Sequence, residues 1–321
     1  MSAPDVGVGL IGDIGATNAR FALVLPGGRT VQPRVCALDD YSSLTDAIDA
    51  YLIEQSPVAR PIEAVLAIAS PVTGDEITLT NHAWTFSIEG LRRHFGLRRL
   101  RVINDFAANA AAIPYLGEDD RIQIGDGVPV SDAPVGIIGP GTGLGVGALA
   151  PGFGGAVNIA AEGGHVTMTP ATAQESVILD LMRARYDHVS AERLLSGPGL
   201  VNLYNTLCEL AGTPAASYTP DQITSPRSWN SDPRTHEATA LFCAMLGTVA
   251  GNLALTLGAR GGIYIAGGIV PKLGAFFAQS EFRARFEAKG RMRAYLAAIP
   301  TYVIVRPYPG LLGAAALLKG C

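Results

Sequence analysis

Three glycine-rich turns, each directly after an apolar run, contain the residues of this sequence that are best suited to chemistry. They lie at Gly12–Thr17 in GDIGATN, at Gly139–Gly145 in GPGTGLG and at Gly267–Gly268 in AGGIV. Backbone N–H groups that glycine leaves uncovered can bind phosphate oxygens. A hairpin turn that needs positive φ explains any single one of them as well, but three together favour a phosphate site. None has the spacing of a dinucleotide fingerprint or of a G-x-x-x-x-G-K-[ST] loop.

The first turn contains a carboxylate, Asp13, which alone would repel a phosphate group. A magnesium ion removes this conflict, because its hydration shell bridges carboxylate and phosphate oxygens. We therefore expect Mg-ATP at this turn, with Asp13 bound to Mg²⁺ through water.

A second set of polar residues is suited to a sugar. Asn104 and Asp105 follow the strand-like run LRVI, where capping of a helix is the alternative role. Glu162 and His165 flank two glycines in EGGHV, and Glu192 lies in SAERL; their alternative roles are a buried loop histidine and a first-turn acid. Alternating acceptors and donors match sugar hydroxyls, each of which both donates and accepts. No third ligand is spaced to complete a metal site in EGGHV.

Strands alternate with helices along the chain, which predicts an α/β fold with ligands at strand ends. The runs GVGLIGDIG and ARFALVL predict a hairpin, and GIIGP with LGVGALA repeats the pattern. This repeat reflects either a duplicated fold or a chance likeness of short glycine-rich runs. Further strands are predicted for EAVLAIAS, LRVIND, GGIYIAG and TYVIVRP.

Helices are predicted from periodicity and from their end signals. SSLTDAIDAYLIEQ has Ser43 as N-cap, SIEGLRRHFG ends at Gly96, and FAANAAAIPYL is stopped by Pro114. Residues 171–245 are predicted to be mostly helical, with a polar loop at Ser217–Pro233, and GLLGAAALLKG is a small-residue helix.

Composition narrows the function classes. The 321 residues suffice for one large or two medium domains, 48% are hydrophobic, 16% are charged, and the formal net charge is −4. We expect no nucleic acid and no membrane surface as partner. No basic residue precedes Arg20 and no apolar run is predicted to span a membrane, so we expect no secretory signal and no membrane helix. Four dispersed cysteines fit a reducing, cytoplasmic compartment.

The sequence resembles a known family across nearly its whole length. The motifs are, in order, GDIGATNARFAL, NHAWTFS, INDFAANAAAIP, GPGTGLGVGAL, EGGHV, HVSAERLLSGPGLVNLY and IAGGIVPKL. They are similar to those of the bacterial glucokinases of the hexokinase type, in the actin-like ATPase-domain superfamily. The resemblance implies a two-domain actin-like ATPase (ribonuclease H-like, duplicated) fold with an interdomain cleft. Its small domain would be 1–112 plus 309–321, and its large domain 113–308.

The resemblance also implies site residues and partners. D-Glucose would be bound by Asn104, Asp105, Glu162, His165 and Glu192, with Asp105 as catalytic base for transfer from ATP to the 6-hydroxyl. The ATP-binding residues would be Gly12, Asp13, Ile14, Gly15, Ala16, Thr17, Gly141, Thr142, Gly143, Gly267 and Gly268. Family members are commonly cytosolic homodimers.

Some features depart from the family or leave alternatives open. Ala16 stands where the family has a second glycine, and its methyl group is tolerated if φ is negative there. The cysteine cluster of the related zinc-containing kinases and repressors is absent, so a repressor is not expected. Another hexose (mannose, fructose, N-acetylhexosamine), another donor (ADP, polyphosphate) and a non-catalytic sugar sensor remain alternatives, and the presence of Asp13 and Asp105 argues against the sensor. Asn81 and His82 are either pocket or turn residues.

Overall fold

The computed structural model describes residues 7–55 and 60–319. The chain divides into two compact units, which we call unit 1 (Met1–Gly117 with Arg306–Cys321) and unit 2 (Glu118–Val305). The domain organisation inferred from the sequence, 1–112 plus 309–321 and 113–308, stays a prediction.

The secondary structure is mixed throughout. The strands of the described residues are β1 (Gly9–Ile14), β2 (Asn18–Val24), β3 (Thr30–Ala37), β4 (Glu63–Ile68), β5 (Glu76–Thr78), β6 (Thr85–Ser87), β7 (Arg99–Asn104), β8 (Arg121–Ile124), β9 (Val135–Pro140), β10 (Leu144–Ala150), β11 (Val157–Ala161), β12 (Gly262–Ile265) and β13 (Thr301–Ile304). The α-helices are α1 (Leu44–Gln55), α2 (Ile88–His94), α3 (Asp105–Ala112), α4 (Ala173–Arg183), α5 (Gly197–Leu210), α6 (Pro220–Ile223), α7 (Pro226–Ser231), α8 (Pro233–Leu257), α9 (Val270–Leu273), α10 (Ala275–Gln279), α11 (Phe282–Glu287), α12 (Arg293–Ala297) and α13 (Pro309–Lys319).

Unit 1 is built on a five-stranded sheet of order β3-β2-β1-β4-β7, with a separate β5-β6 ribbon. The first three strands are antiparallel neighbours, whereas β1, β4 and β7 run parallel. Side chains alternate between two buried faces, as a doubly covered sheet requires. Leu10 packs in one apolar cluster with Ala47 of α1, and Ile11 packs in another with Ala314 of α13.

Unit 2 repeats this plan. Its sheet has the order β11-β10-β9-β12-β13-β8, and the first five strands have the same sequence of antiparallel and parallel pairings as in unit 1. The repeated hairpin in the sequence therefore reflects a duplicated fold, not a chance likeness. The extra strand β8 pairs antiparallel with β13.

The longest helix of the described residues, α8, forms the centre of unit 2. Phe242, Met245 and Leu246 are fully buried in its apolar cluster. Within the described part of the chain, α8 is the one helix whose length and hydropathy would suit a membrane crossing. Most of its apolar stretch is buried inside the unit, so its hydropathy is that of a core helix.

Most predicted elements are present, with their predicted ends. Ser43 Oγ accepts the Asp46 N–H at 3.1 Å beside the first turn of α1, and Gly96 follows α2 with φ +63°. The strands β3, β5, β6, β8 and β11 were not predicted. The polar loop predicted at Ser217–Pro233 is wrong, because it contains α6 and α7, whose first turns are capped by Thr219 and Ser225.

Candidate functional site

The first glycine-rich turn connects β1 to β2 in unit 1. It is closed by the Gly15 N–H, which donates to the Asn18 carbonyl at 2.9 Å. The hairpin register places Asp13 opposite Arg20, and Asp13 Oδ2 lies 3.5 Å from Arg20 Nη1. The start of α13 also reaches this point, since a Cβ added to Gly310 would lie 3.1 Å from Asp13 Cγ. The carboxylate is thus enclosed by a strand, an arginine and a helix start.

The electrostatics of Asp13 favour a nearby positive charge. Burial raises the pKa of this carboxyl, and the neighbouring Arg20 guanidinium opposes the shift. Arg20 Nε is buried without a hydrogen-bond partner in the described structure, and the guanidinium lies 4.9 Å from the centre of the Tyr308 ring. One carboxylate fits a Mg²⁺ ion that keeps most of its waters. The described residues contain no cluster of three or more His, Cys, Asp or Glu side chains that would bind a metal directly.

Ala16, the departure from the family turn, introduces no backbone strain. The non-glycine residues of positive φ in the described chain are Gln32, Asp132 and Tyr308, and Ala16 is not among them. The methyl group of Ala16 is therefore tolerated, because φ at this position is not positive.

Asn104 and Asp105 lie where β7 ends and α3 begins. Asn104 Oδ1 accepts the N–H groups of Phe106 and Ala107 at 2.8 and 3.2 Å, so the residue is a helix N-cap. Asp105 Oδ1 accepts the Phe106 N–H at 2.9 Å. The cap engages the Asn104 oxygen, which leaves the amide NH₂ as the end of the side chain suited to donate to a ligand.

The parallel strands of unit 1 bring its predicted site residues to one edge. The register aligns Ile14 with Ile68, and Ile68 with Asn104. Asp13 and Asp105 therefore both lie at the carboxyl ends of their strands, and two strand spacings separate β1 from β7 by about 10 Å.

In unit 2 the second and third turns are neighbours. The second turn, between β9 and β10, is closed by the Gly141 N–H, which donates to the Gly143 carbonyl at 2.8 Å. The third follows β12, and a Cβ added to Gly267 (φ +84°) would lie 2.2 Å from the Pro140 carbonyl oxygen. These two predicted phosphate turns therefore share one surface.

The explanation of the glycines by positive φ is wrong for two of the three turns. Gly12, Gly15, Gly141 and Gly143 do not have positive φ, in contrast to Gly267. Two of these glycines instead lie close to side-chain ends. A Cβ at Gly12 would lie 2.7 Å from Leu66 Cδ2, and a Cβ at Gly143 would lie 2.5 Å from Glu192 Oε2.

Two 3₁₀ turns of unit 2, Gly163–His165 and Ala191–Arg193, lie beside each other. Two backbone hydrogen bonds of 2.9 Å join residues 166–168 to residues 189–191 and so set the two turns in register. The three predicted sugar residues of this unit lie at these turns. They are Glu162, His165 and Glu192.

Glu162 and His165 present polar groups to solvent. Their side chains are 54% and 59% exposed, and Glu162 Oε2 lies 3.9 Å from His165 Nε2. The alternative of a buried, satisfied histidine is therefore wrong. His188 Nε2 donates to the His165 carbonyl at 3.0 Å and holds this turn from the other segment.

Glu192 lies in the first turn of its 3₁₀ segment, but its carboxylate binds elsewhere. Its Oε2 accepts the Leu144 N–H at 2.8 Å, directly after the second phosphate turn. Glu192 also borders a cavity of about 520 Å³. The cavity is lined by His165, Arg185, Tyr186, Asp187, His188, Ser190, Glu192 and Arg193.

Some residues of these sites were not found from the sequence. Arg20 could have been found from the sequence, because a hairpin that turns at residues 15–17 pairs it with Asp13. Leu144 and His188 act through backbone or long-range contacts that no local pattern shows. His82 packs edge-on against Trp84 at 4.8 Å and lies 3.4 Å from Asp39, between β5 and β6, which favours a turn role over a pocket role.

The duplicated sheets, with polar turns at their strand ends, define a protein of the actin-like ATPase fold. A glucokinase structure from an Antarctic psychrotroph is 33% identical to this chain with a TM-score of 0.89, covering 98% of this chain and 99% of the other. A glucokinase of Streptomyces griseus, solved with glucose and AMPPNP, is 20% identical with a TM-score of 0.65 over 98% and 100%, which shows the fold alone.

Sequence comparison identifies the family. The glucokinase family model matches residues 10–320. The glucokinase of Aromatoleum aromaticum is 51% identical over 310 residues, which are 96% of this chain and 94% of the relative. The chain belongs to the glucokinase family. The expected family, fold class and glucokinase activity are thereby confirmed.

Proposed function

We propose that the chain phosphorylates D-glucose on its 6-hydroxyl with Mg-ATP, and that Asp105 is the general base. Membership of the glucokinase family supports the reaction. The observation that carries the assignment of residues is the side-by-side arrangement of the two 3₁₀ turns that carry Glu162, His165 and Glu192, next to the second phosphate turn.

Sugar recognition is divided among side chains of different character. Glu162 and Glu192 accept from ring hydroxyls, while His165 and the amide of Asn104 donate to them. Charged acceptors of this kind discriminate against sugars that lack a hydroxyl at the matching position, because the carboxylate would be left unpaired.

The chemical step needs positioning more than early deprotonation. Phosphoryl transfer passes through a loose transition state, so the attacking oxygen must be held in line with the γ-phosphate. Asp105 orients the 6-hydroxyl and accepts its proton late in the transfer. An ordinary carboxylate pKa is sufficient for this role.

The three glycine-rich turns bind the nucleotide. Their backbone N–H groups donate to phosphate oxygens, as at Thr142 and Gly143, for which the described structure gives no internal acceptor. Asp13 is the residue that would hold Mg²⁺ through its water shell, and the bound ion would supply charge neutralisation at the phosphates. The remaining nucleotide-binding residues are Gly12, Ile14, Gly15, Ala16, Thr17, Gly141, Gly267 and Gly268.

One set of measurements tests the proposal. Turnover is assayed with glucose, mannose, fructose and N-acetylglucosamine, each with ATP, ADP and polyphosphate, and sugar binding is measured by calorimetry alongside. We expect the highest kcat/KM for glucose with ATP, and none without magnesium. Glucose binding without turnover by any donor would identify a sugar sensor instead and overturn the proposal.

We also propose that the enzyme is a cytoplasmic homodimer with no nucleic-acid or membrane partner, as the family resemblance and composition imply. Light scattering coupled to size-exclusion chromatography should give twice the mass of the chain. A monomer at micromolar concentration would contradict the dimer.

A further inference from the structure

We infer that Glu192 positions the second phosphate turn as well as binding sugar, and so couples the nucleotide site to the sugar site within unit 2. The inference rests on the proposed function, because it assumes that this turn binds phosphate and that Glu192 binds glucose. It adds a physical link between the two ligands.

The link is one carboxylate with two differently engaged oxygens. Oε2 accepts the Leu144 N–H at 2.8 Å, across 48 residues of sequence. Leu144 is the residue that ends the turn and begins β10. Among the described residues no backbone N–H donates to Oε1, so it is the oxygen suited to accept from a sugar hydroxyl. A movement of the carboxylate toward sugar therefore acts directly on the backbone of the turn.

The second phosphate turn is held at two further points, one at Leu144 and one at Gly141. A Cβ added to Gly164 would lie 2.0 Å from the Leu144 carbonyl oxygen, so the EGGHV turn packs directly against the same residue. The Gly197 N–H donates to the Gly141 carbonyl at 2.8 Å and ties the other end of the phosphate turn to the start of α5. The turn is thus anchored by the segments that carry His165 and Glu192.

Gly143 adds a steric contact to the hydrogen bond. A Cβ at this position would lie 2.5 Å from Glu192 Oε2, whereas a Cβ at Gly141 would meet nothing within 4 Å. Neither glycine has positive φ. Alanine at Gly143 therefore displaces the end of a flexible side chain and leaves the fold intact, while alanine at Gly141 fits in open space.

The first experiment compares two sugar-binding carboxylates, of which Glu192 is the one hydrogen-bonded to the turn. Binding of Mg-AMPPNP is measured by calorimetry without glucose, and binding of glucose is measured without nucleotide. Glu192→Ala should weaken nucleotide binding about three- to tenfold, as loss of one hydrogen bond predicts. Glu192→Gln should stay within about twofold of wild type, because its amide oxygen still accepts the Leu144 N–H. Glu162→Ala, the matched control, should weaken glucose binding alone.

The outcomes separate this inference from the proposed function. Wild-type nucleotide affinity in Glu192→Ala overturns the inference. Equal changes in Glu192→Ala and Glu192→Gln also overturn it, because the effect would then come from charge. Wild-type glucose affinity in Glu192→Ala would instead remove Glu192 from the sugar site and so contradict the proposed function.

A second pair of variants tests the coupling from the other direction. Gly143→Ala should weaken glucose binding in the nucleotide-free protein several-fold, because it moves the Glu192 carboxylate. Gly141→Ala, in the same turn, should alter nucleotide binding without that effect on glucose. Glucose affinity that is equal in the two variants overturns the inference, and circular dichroism confirms that both are folded.

Discussion

In unit 1 the carboxylate beside the glycine-rich hairpin, Asp13, belongs to β1 and faces Arg20 at 3.5 Å. In unit 2 the corresponding hairpin has no acid of its own, and its carboxylate, Glu192, comes from a distant 3₁₀ segment and binds the backbone at 2.8 Å. The duplicated fold repeats strand order and direction, but not the placement of charge. On the proposed function, unit 1 supplies the base, the metal contact and the Asn104 amide, while unit 2 supplies Glu162, His165 and Glu192 as sugar ligands.

The largest effect should come from the base in unit 1. Asp105→Asn keeps the size of the side chain and one acceptor but removes the proton acceptor, so kcat should fall about 10²–10⁴-fold. The glucose dissociation constant should change far less. Turnover within a few-fold of wild type would show that Asp105 only begins helix α3. Unit 1 would then not supply the base.

The metal contact of unit 1 should give the next largest effect. Asp13→Ala should lower kcat/KM for Mg-ATP by about 10²-fold, because the ion supplies several kcal/mol of charge stabilisation in the transition state. Glucose binding without nucleotide should be preserved. A magnesium titration at fixed ATP measures the change. A curve identical to that of the wild type would show that Asp13 pairs with Arg20 and does not contact the ion.

Ring recognition in unit 2 should give a smaller effect of a different kind. Glu162→Ala should raise the glucose KM about ten- to a hundredfold, since loss of a charge-assisted hydrogen bond costs roughly 1.5–3 kcal/mol. The KM for ATP should be nearly unchanged. If calorimetry shows wild-type glucose affinity, Glu162 is not a sugar ligand.

The smallest effect concerns the turn backbone of unit 1. Ala16→Gly should lower the free energy of unfolding by about 0.5–1 kcal/mol, because glycine increases the freedom of the unfolded chain and φ at this position does not require it. The KM for ATP should stay within twofold. A large gain in ATP affinity would show that the methyl group hinders the nucleotide.

The sequence predicts the parts of this molecule that depend on local pattern. The hairpins β1-β2 and β9-β10 follow from apolar runs broken by glycine, and α1 from periodicity and Ser43. The short helices α6 and α7 begin with recognisable N-caps, Thr219 and Ser225, each followed by proline. The polar composition of the segment nevertheless favoured the prediction of a loop. The edge strand β3 contains Pro33, which a central strand would exclude and an edge strand tolerates.

The candidate site was less accessible to sequence reasoning. Its residues were found through motifs, but the bond from Glu192 to Leu144 spans 48 residues and depends on how two loops pack. The space requirement at Gly143 has the same origin. Local spacing shows which residues are polar, whereas tertiary contacts decide which of their atoms remain available to a ligand.

The helix α13 has a consequence for biosynthesis. It follows unit 2 in the chain, yet its Leu311, Ala314 and Ala315 are buried in the core of unit 1 with Ile11 and neighbouring residues. Domains generally fold as they leave the ribosome, N-terminal first. Here the first unit to emerge has an uncovered sheet face until all of unit 2 has been translated. A nascent or prematurely terminated chain therefore lacks the helix start that encloses Asp13.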